Sequence, residues 1–245
     1  MAIFSRASQA YSSAEKDLQD LFETFPGSEA DKIESLPLFI TNYQFNRILF
    51  LYECYKMILD VPGEIHLFGV RFGRGIATID NFRGNLEPLN GSRLIVGYDT
   101  FEGIKKDKNS KDENVSSGDL KTPARYEEYL HRLLDVRNQL LPMSHLKQFV
   151  VEAGDAVENL ERRLSDSPAT CIAMAHLDMN VYGATEKVID LMMPYLVKGS
   201  ILIFDEFGHP NISGPTLAAR EKLEKRMNIK RVKPVSTSWS AVYTV

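Results

Sequence analysis

Cysteine is nearly absent: Cys54 and Cys171 are the only two in 245 residues. Each sits in an apolar segment, so both read as small core residues and not as a disulfide pair. Long hydrophobic runs are also missing. No stretch reaches the ~18 uninterrupted apolar residues that a membrane span requires. The opening MAIFSRASQA lacks the apolar core of a secretory signal, so a reducing cytoplasm is the expected location. A basic excess is missing as well. Lys and Arg number 29 against 33 Asp and Glu, for a net charge of -4, which argues against a general nucleic-acid or membrane-surface binder. Neither an internal repeat nor an interdomain linker is visible.

What remains is an ordinary globular composition, 44% hydrophobic and 25% charged. A chain of this length buries roughly 70–75% of its unfolded surface, so the core needs no staples. Residues 1–35 are polar and helix-prone. Ser13–Phe25 reads as an amphipathic helix, capped by Ser12 or Ser13 and stopped by Pro26-Gly27. Phe39–Leu59 reads as a longer, more apolar helix ending before Val61-Pro62-Gly63. Residues 1–60 are therefore expected to form a helical cover or lid, with the main domain over 61–245.

From there strands and helices alternate. Ile65–Val70 reads as a buried strand running into the glycine loop Gly69-Val70-Arg71-Phe72-Gly73-Arg74-Gly75, then a helix from Ile76. Arg93–Tyr98 is a second strand ending at Asp99. Glycines allow close backbone approach, the following helix offers its N-terminal amides, and an acid after the second strand can accept hydrogen bonds from ribose hydroxyls. Residues 104–122 are charged and poor in large apolar side chains, as in a mobile insertion or a substrate lid. Tyr126–Leu141 reads as a helix, Gln148–Glu152 as a strand, and Val157–Leu164 as a helix.

Thr170–His209 carries the densest chemistry. It reads as a strand ending at Asp178, a helix over Thr185–Leu196 stopped by Gly199, and a strand over Ser200–Phe204 ending at Asp205-Glu206. Parallel neighbours in a right-handed crossover end on one sheet edge, where open α/β sheets bind ligands. Three carboxylates there repel unless a cation or substrate group sits between them. A helix over Thr216–Met227 and closing strands over Lys230–Pro234 and Ser240–Val245, an antiparallel hairpin, complete a doubly wound, Rossmann-like three-layer α/β sheet.

Four stretches together resemble the class I S-adenosylmethionine-dependent methyltransferases, and most of all the macrocin/mycinamicin-type sugar O-methyltransferases. They are GEIHLFGVRFGRG (63–75), VGYDTFEG (96–103), VEAGDA (151–156) and LDMNVYGATEKV with YLVKGSILIFDEFG (177–208). The resemblance implies a cofactor site: Gly69, Val70, Arg71 and Gly73 along the methionine and ribose part, Asp99 on the ribose hydroxyls, Thr100 and Phe101 beside the adenosine, and Asp155 and Ala156 at the adenine edge. It implies that Asp178, Asp205 and Glu206 hold a divalent metal, usually Mg2+, which chelates neighbouring hydroxyls of a sugar-containing acceptor. A homo-oligomer is also expected.

Two departures stand out. Leu67 occupies the place of the family's usual acid before the first loop glycine, with Glu64 and His66 nearby. Asn180 occupies the place of a second acid, a candidate base, and an amide is no base at neutral pH. His176, His131, His145 or a metal-bound alkoxide path are the candidate replacements, and Gly183 stands where the family tends to have Glu. The competing expectations are a methyltransferase-like binding protein without turnover, a catechol-type O-methyltransferase, and a nicotinamide-dependent oxidoreductase. Glycines at 69, 73 and 75 do not make the G-x-G-x-x-G that the last would need.

Overall fold

The structure is a computed structural model that describes residues 9–105, 116–223, 228–232 and 240–245. The chain divides into two compact units, Met1–Ile48 and Leu49–Val245. The division therefore falls twelve residues before the expected boundary at 60, inside a helix.

The first unit holds α1 (Gln9–Glu23), α2 (Glu29–Glu34), a 3-10 turn at Leu36–Leu38 and the start of α3 (Asn42–Lys56). α1 begins ahead of Ser12, which is therefore no cap. α2 is not marked by apolar periodicity; a capping box creates it, with Asp31 N–H donating to Ser28 Oγ and Ser28 N–H donating to Asp31. α3 starts three residues later than expected. Pro37 sits in the 3-10 turn, and Thr41 and Gln44 form a second reciprocal cap at 2.8 and 3.3 Å. Phe22 and Phe25 meet Phe39 edge to face. No described residue before Ile48 is buried.

The second unit is a seven-stranded sheet in the order β3-β2-β1-β4-β5-β7-β6. Its strands are β1 (Glu64–Phe68), β2 (Ile95–Asp99), β3 (Phe149–Ala153), β4 (Ile172–Leu177), β5 (Leu196–Phe204), β6 (Ile229–Lys230) and β7 (Ala241–Thr244). β1 to β5 are mutually parallel, whereas β7 runs antiparallel to both β5 and β6. The helices between them are α4 (Arg74–Leu86), α5 (Tyr126–Gln139), α6 (Ala156–Asp166), α7 (Tyr182–Met192) and α8 (Gly214–Leu223). One face of the sheet packs on Phe50, Leu51, Cys54 and Tyr55 of α3, Ile76 and Ile79 of α4, and Leu130 and Leu134 of α5. The other packs on Leu160 and Leu164 of α6, Val188, Ile189 and Met192 of α7, and Ala218 and Leu223 of α8. This is the expected three-layer doubly wound sheet with an antiparallel close.

Differences of detail have physical causes. α7 ends at Met192 because a 3-10 turn carrying Pro194 follows, so Gly199 does not stop the helix. Gly199 lies inside β5 at φ +93°, where the register to β4 slips; Ser200 Oγ donates to the Ile172 carbonyl at 2.7 Å and accepts from Val197 N–H. Arg93 precedes β2 and is not part of it. Its buried guanidinium donates to the carbonyls of Ile58, Val61 and Gly63 and pairs with Glu87. Cys54 and Cys171 are free thiols, and burial pushes the Cys54 thiol upward. Of the insertion expected at 104–122, residues 106–115 lie outside the described residues, as do the last four residues expected in the helix ending at Met227 and the end of the Lys230–Pro234 strand.

Candidate active site

The site follows from the strand order. β1 has β2 on one side and β4 on the other, so the chain reverses its winding there and a crevice opens beyond the carboxyl ends. The ladder continues past the strands: Asp178 N–H donates to the Phe68 carbonyl, Asp205 N–H to Leu177, and Gly154 N–H to Asp99. The ends of β1, β2, β3, β4 and β5 therefore form one rim.

Gly69 leaves β1 at φ +88°, and a Cβ there would lie 2.2 Å from the Asp178 carbonyl oxygen. Only glycine permits that approach. The turn goes on through Arg71 at φ +49° to Gly73 at φ +78°, which starts α4. The first intrahelical bond runs from Ala77 to Gly73, so the amides of Arg74, Gly75 and Ile76 have no partner within the helix. Val70 packs into the core against Gly97, a β2 glycine that makes room for it and for Ile76. Periodicity did not reveal Gly97, because a glycine in a strand carries no pattern of its own.

Asp99 ends β2 and braces this turn. One carboxylate oxygen accepts from Arg71 N–H at 2.6 Å and the other from Phe101 N–H at 2.7 Å. Each oxygen keeps a second lone pair for an incoming hydroxyl. Thr100 Oγ1 accepts from Glu102 N–H and donates to the Gly103 carbonyl. Phe101 sits at φ +56°, and its carbonyl accepts from the buried Thr122 hydroxyl. Both ends of the 104–122 segment are thus anchored at the rim. Ile104 packs there with Val181 and Ile212, from the loops after β4 and β5. Asp155 caps α6, accepting from Val157 and Glu158 N–H, and Ala156 begins that helix.

The acids resolve by face. Register places Leu67 opposite His176 and His176 opposite Ile203. Residues two apart on a strand share a face, so His176, Asp178 and Asp205 converge. One ligand atom from each lies within 4.8 Å of the other two, and His176 Nε2 is 3.7 Å from Asp205 Oδ1. His176 and Asp205 are buried, and His176 Nε2 has no hydrogen bond. Glu206 is not in this group: it follows Asp205 by one residue, as the chain turns out of β5. Ser240, just ahead of β7, donates to Asp205 Oδ1 at 3.1 Å. Sequence reasoning missed it, since only the antiparallel return of β7 brings it to β5.

Asn180 is buried at φ +62°, and its Oδ1 lacks a hydrogen bond. His131 lies half-buried on α5 beside Glu127, and His145 is exposed in the loop before β3, so His176 is the histidine gathered into the acid cluster. Glu64 and His66 do not replace the acid missing at Leu67. His66 stacks with Phe68 and Tyr98 on the opposite face, and Glu64 is taken up by His66 and Arg163. Leu67 itself is core. At Gly183 a Cβ would meet nothing within 4 Å.

A seven-stranded sheet with a reversed β7, a glycine turn after β1 and an acid ending β2 define a class I methyltransferase. No protein-family model matches the chain, and no curated protein matches it. Among solved structures, CalS11, a calicheamicin methyltransferase, is 32% identical with a TM-score of 0.92, over 98% of this chain and 95% of that one. The apo structure of CalS11, described as a TDP-rhamnose 3'-O-methyltransferase, is 31% identical with a TM-score of 0.85, over 98% of this chain and 96% of that one. The O-methyltransferase NovP shares the fold at 17% identity and a TM-score of 0.54, over 81% and 79%. The chain belongs to the sugar O-methyltransferase family of the class I methyltransferases.

Proposed function

We propose that this O-methyltransferase moves the methyl group of S-adenosylmethionine to a hydroxyl of a sugar-containing small molecule, a nucleotide-linked deoxysugar or a glycoside, with a divalent cation at the rim. The carrying observation is near-full-length likeness to CalS11, whose acceptor is a TDP-linked rhamnose. The rim supports it. The Gly69–Gly73 turn and the α4 amides would take the methionine part, Asp99 the ribose hydroxyls, and Thr100, Phe101, Asp155 and Ala156 the adenosine.

The donor set fits a cation: two carboxylates and a buried imidazole nitrogen without a hydrogen bond converge at Asp178, Asp205 and His176. When bound, a cation lowers the pKa of a coordinated hydroxyl and orients it. The protein's own part is positioning. Ser240 fixes the Asp205 rotamer, and the Phe68–Asp178 and Leu177–Asp205 backbone bonds fix the separation of the acids. Apolar Ile104, Val181 and Ile212 exclude water from the neighbouring loops.

Calorimetric titration with S-adenosylmethionine, followed by mass spectrometry for a methylated product from nucleoside-diphosphate deoxysugars, glycosides and catechols, tests this. A sugar product that depends on added metal and is lost in Asp205→Asn is the expected result. Absence of cofactor binding at millimolar ligand overturns it, and a catechol product moves the acceptor class. The buried amide of Asn180, where the family carries an acid, favours one alternative, a binding protein without turnover. Cofactor binding with no product from any hydroxyl would be its signature.

A further inference from the structure

We infer that His176 is a metal ligand, and that the rim site prefers a first-row transition cation over Mg2+. The inference rests on the metal-assisted reading above and sharpens which ion that site takes.

The sequence pattern suggested three carboxylates, a hard all-oxygen set suited to Mg2+. The structure gathers one imidazole and two carboxylates instead: His176 lies in the cluster with Asp178 and Asp205, and Glu206 is not part of it. Imidazole nitrogen suits the later first-row cations such as Ni2+ and Zn2+, whereas carboxylate and water suit Mg2+ and Mn2+; affinity for a mixed nitrogen and oxygen set rises from Mn2+ through Co2+ to Ni2+. The distances fit one ion. Two ligands about 2.1 Å from a metal and 3.7 Å apart subtend roughly 120° at it. Ligands on opposite sides of one ion stand about 4.2 Å apart, so a pair at the 4.8 Å limit must close by about 0.6 Å.

The independent observation is His176 itself. The residue is 5% exposed, Nε2 has no hydrogen bond, and the nearest acid oxygen is 3.7 Å away. A buried polar atom without a partner is destabilising. An ion between Nε2 and Asp205 Oδ1 removes that cost and separates the two acids at the same time. Ligation also occupies the lone pair that a general base would use, so His176 is assigned to holding the metal and not to taking the substrate proton.

The test measures binding, not turnover. Full-length protein is titrated calorimetrically with Mn2+, Co2+ and Mg2+, alongside His176→Ala and Ser240→Ala. Spin-echo spectra of bound Mn2+ report a directly coordinated nitrogen. The wild type is expected to bind Co2+ at least ~10-fold more tightly than Mg2+ and to show 14N modulation. His176→Ala is expected to lose the modulation and ~10-fold or more in Co2+ affinity, with Mg2+ little changed. Ser240→Ala is expected to weaken all three ions alike. Retained S-adenosylmethionine binding and circular dichroism show that the variants are folded. Mn2+ bound without 14N modulation, or equal losses for Co2+ and Mg2+ in His176→Ala, overturns the assignment. So does a variant that binds every ion normally yet loses turnover, which would make His176 the base. Mg2+-selective methyl transfer would sink this inference and leave the proposed function standing; metal selectivity without methyl transfer would do the reverse.

Discussion

At the scale of single residues, burial and partners decide what each titratable group does. His66 is fully buried between Glu64 and the Tyr98 hydroxyl, both 3.1 Å away. Burial lowers its pKa below the ordinary 6.5, against the raising influence of Glu64. For Glu64, burial alone would raise the pKa, but the hydrogen bond from His66 and the Arg163 guanidinium outweigh it and hold the carboxyl below its usual range. With His66 neutral, that depression rests on the His66 hydrogen bond and on Arg163. The signs then follow. An unfolded histidine takes a proton near pH 6.5 while folded His66 does not, so stability falls as pH drops below about 6.5. Glu64 contributes stability above 4.5 that is lost only as pH falls further, through its depressed value. His66→Phe, which keeps the stack on Phe68 and Tyr98, is expected to flatten stability between about pH 5 and 6.5. It leaves the steeper acid loss below 4.5 and costs about 1–3 kcal/mol at neutral pH for the Tyr98 hydroxyl. Urea midpoints across pH measure it; an unchanged slope above pH 5 would refute the buried neutral imidazole.

At the scale of elements, short-range capping competes with apolar periodicity. α2 exists because of Ser28 and Asp31, and α3 starts where Thr41 and Gln44 cap it. Neither is visible to a hydrophobic pattern, which is why the first was not expected and the second was placed early. Asp155 shows the other side of this. The family resemblance makes it a cofactor contact, while in the structure it caps α6 through Val157 and Glu158. The two roles separate by substitution. Asp155→Ala is expected to cost about 1 kcal/mol and Asp155→Ser much less, because serine caps as well. If Asp155 also meets the adenine edge, the Ser variant keeps stability but loses cofactor affinity, read by thermal unfolding beside calorimetric titration.

For the whole molecule, core is unevenly distributed. No described residue from Gln9 to Ile48 is buried, whereas all six residues of β4 are. Local opening free energy follows buried contact, so amides in α1 and α2 should exchange within seconds to minutes. Those of β1, β4 and β5 should exchange only on global unfolding. Hydrogen-exchange mass spectrometry on the intact protein checks this, and strong protection in α1 would show that its apolar side chains are covered in solution. No described helix is long and apolar enough to cross a membrane.

Most of the fold was legible in the sequence because it rests on local signals. Apolar runs of strand length alternate with helical spacing, and glycine or an acid ends each parallel strand, as at Gly69, Asp99, Asp178 and Asp205. Side-chain chemistry alone also determined which residue types gather at the carboxyl edge. The tertiary structure decided which of them meet. Glu206 is adjacent to Asp205 in sequence, but the chain turns after Phe204, and the cluster takes in Asp205 and not Glu206. His176 and Ser240 enter the site only through parallel register with β5 and the antiparallel return of β7. Register is a property of strand pairs, set by packing between segments far apart in the chain, and no single stretch of sequence encodes it.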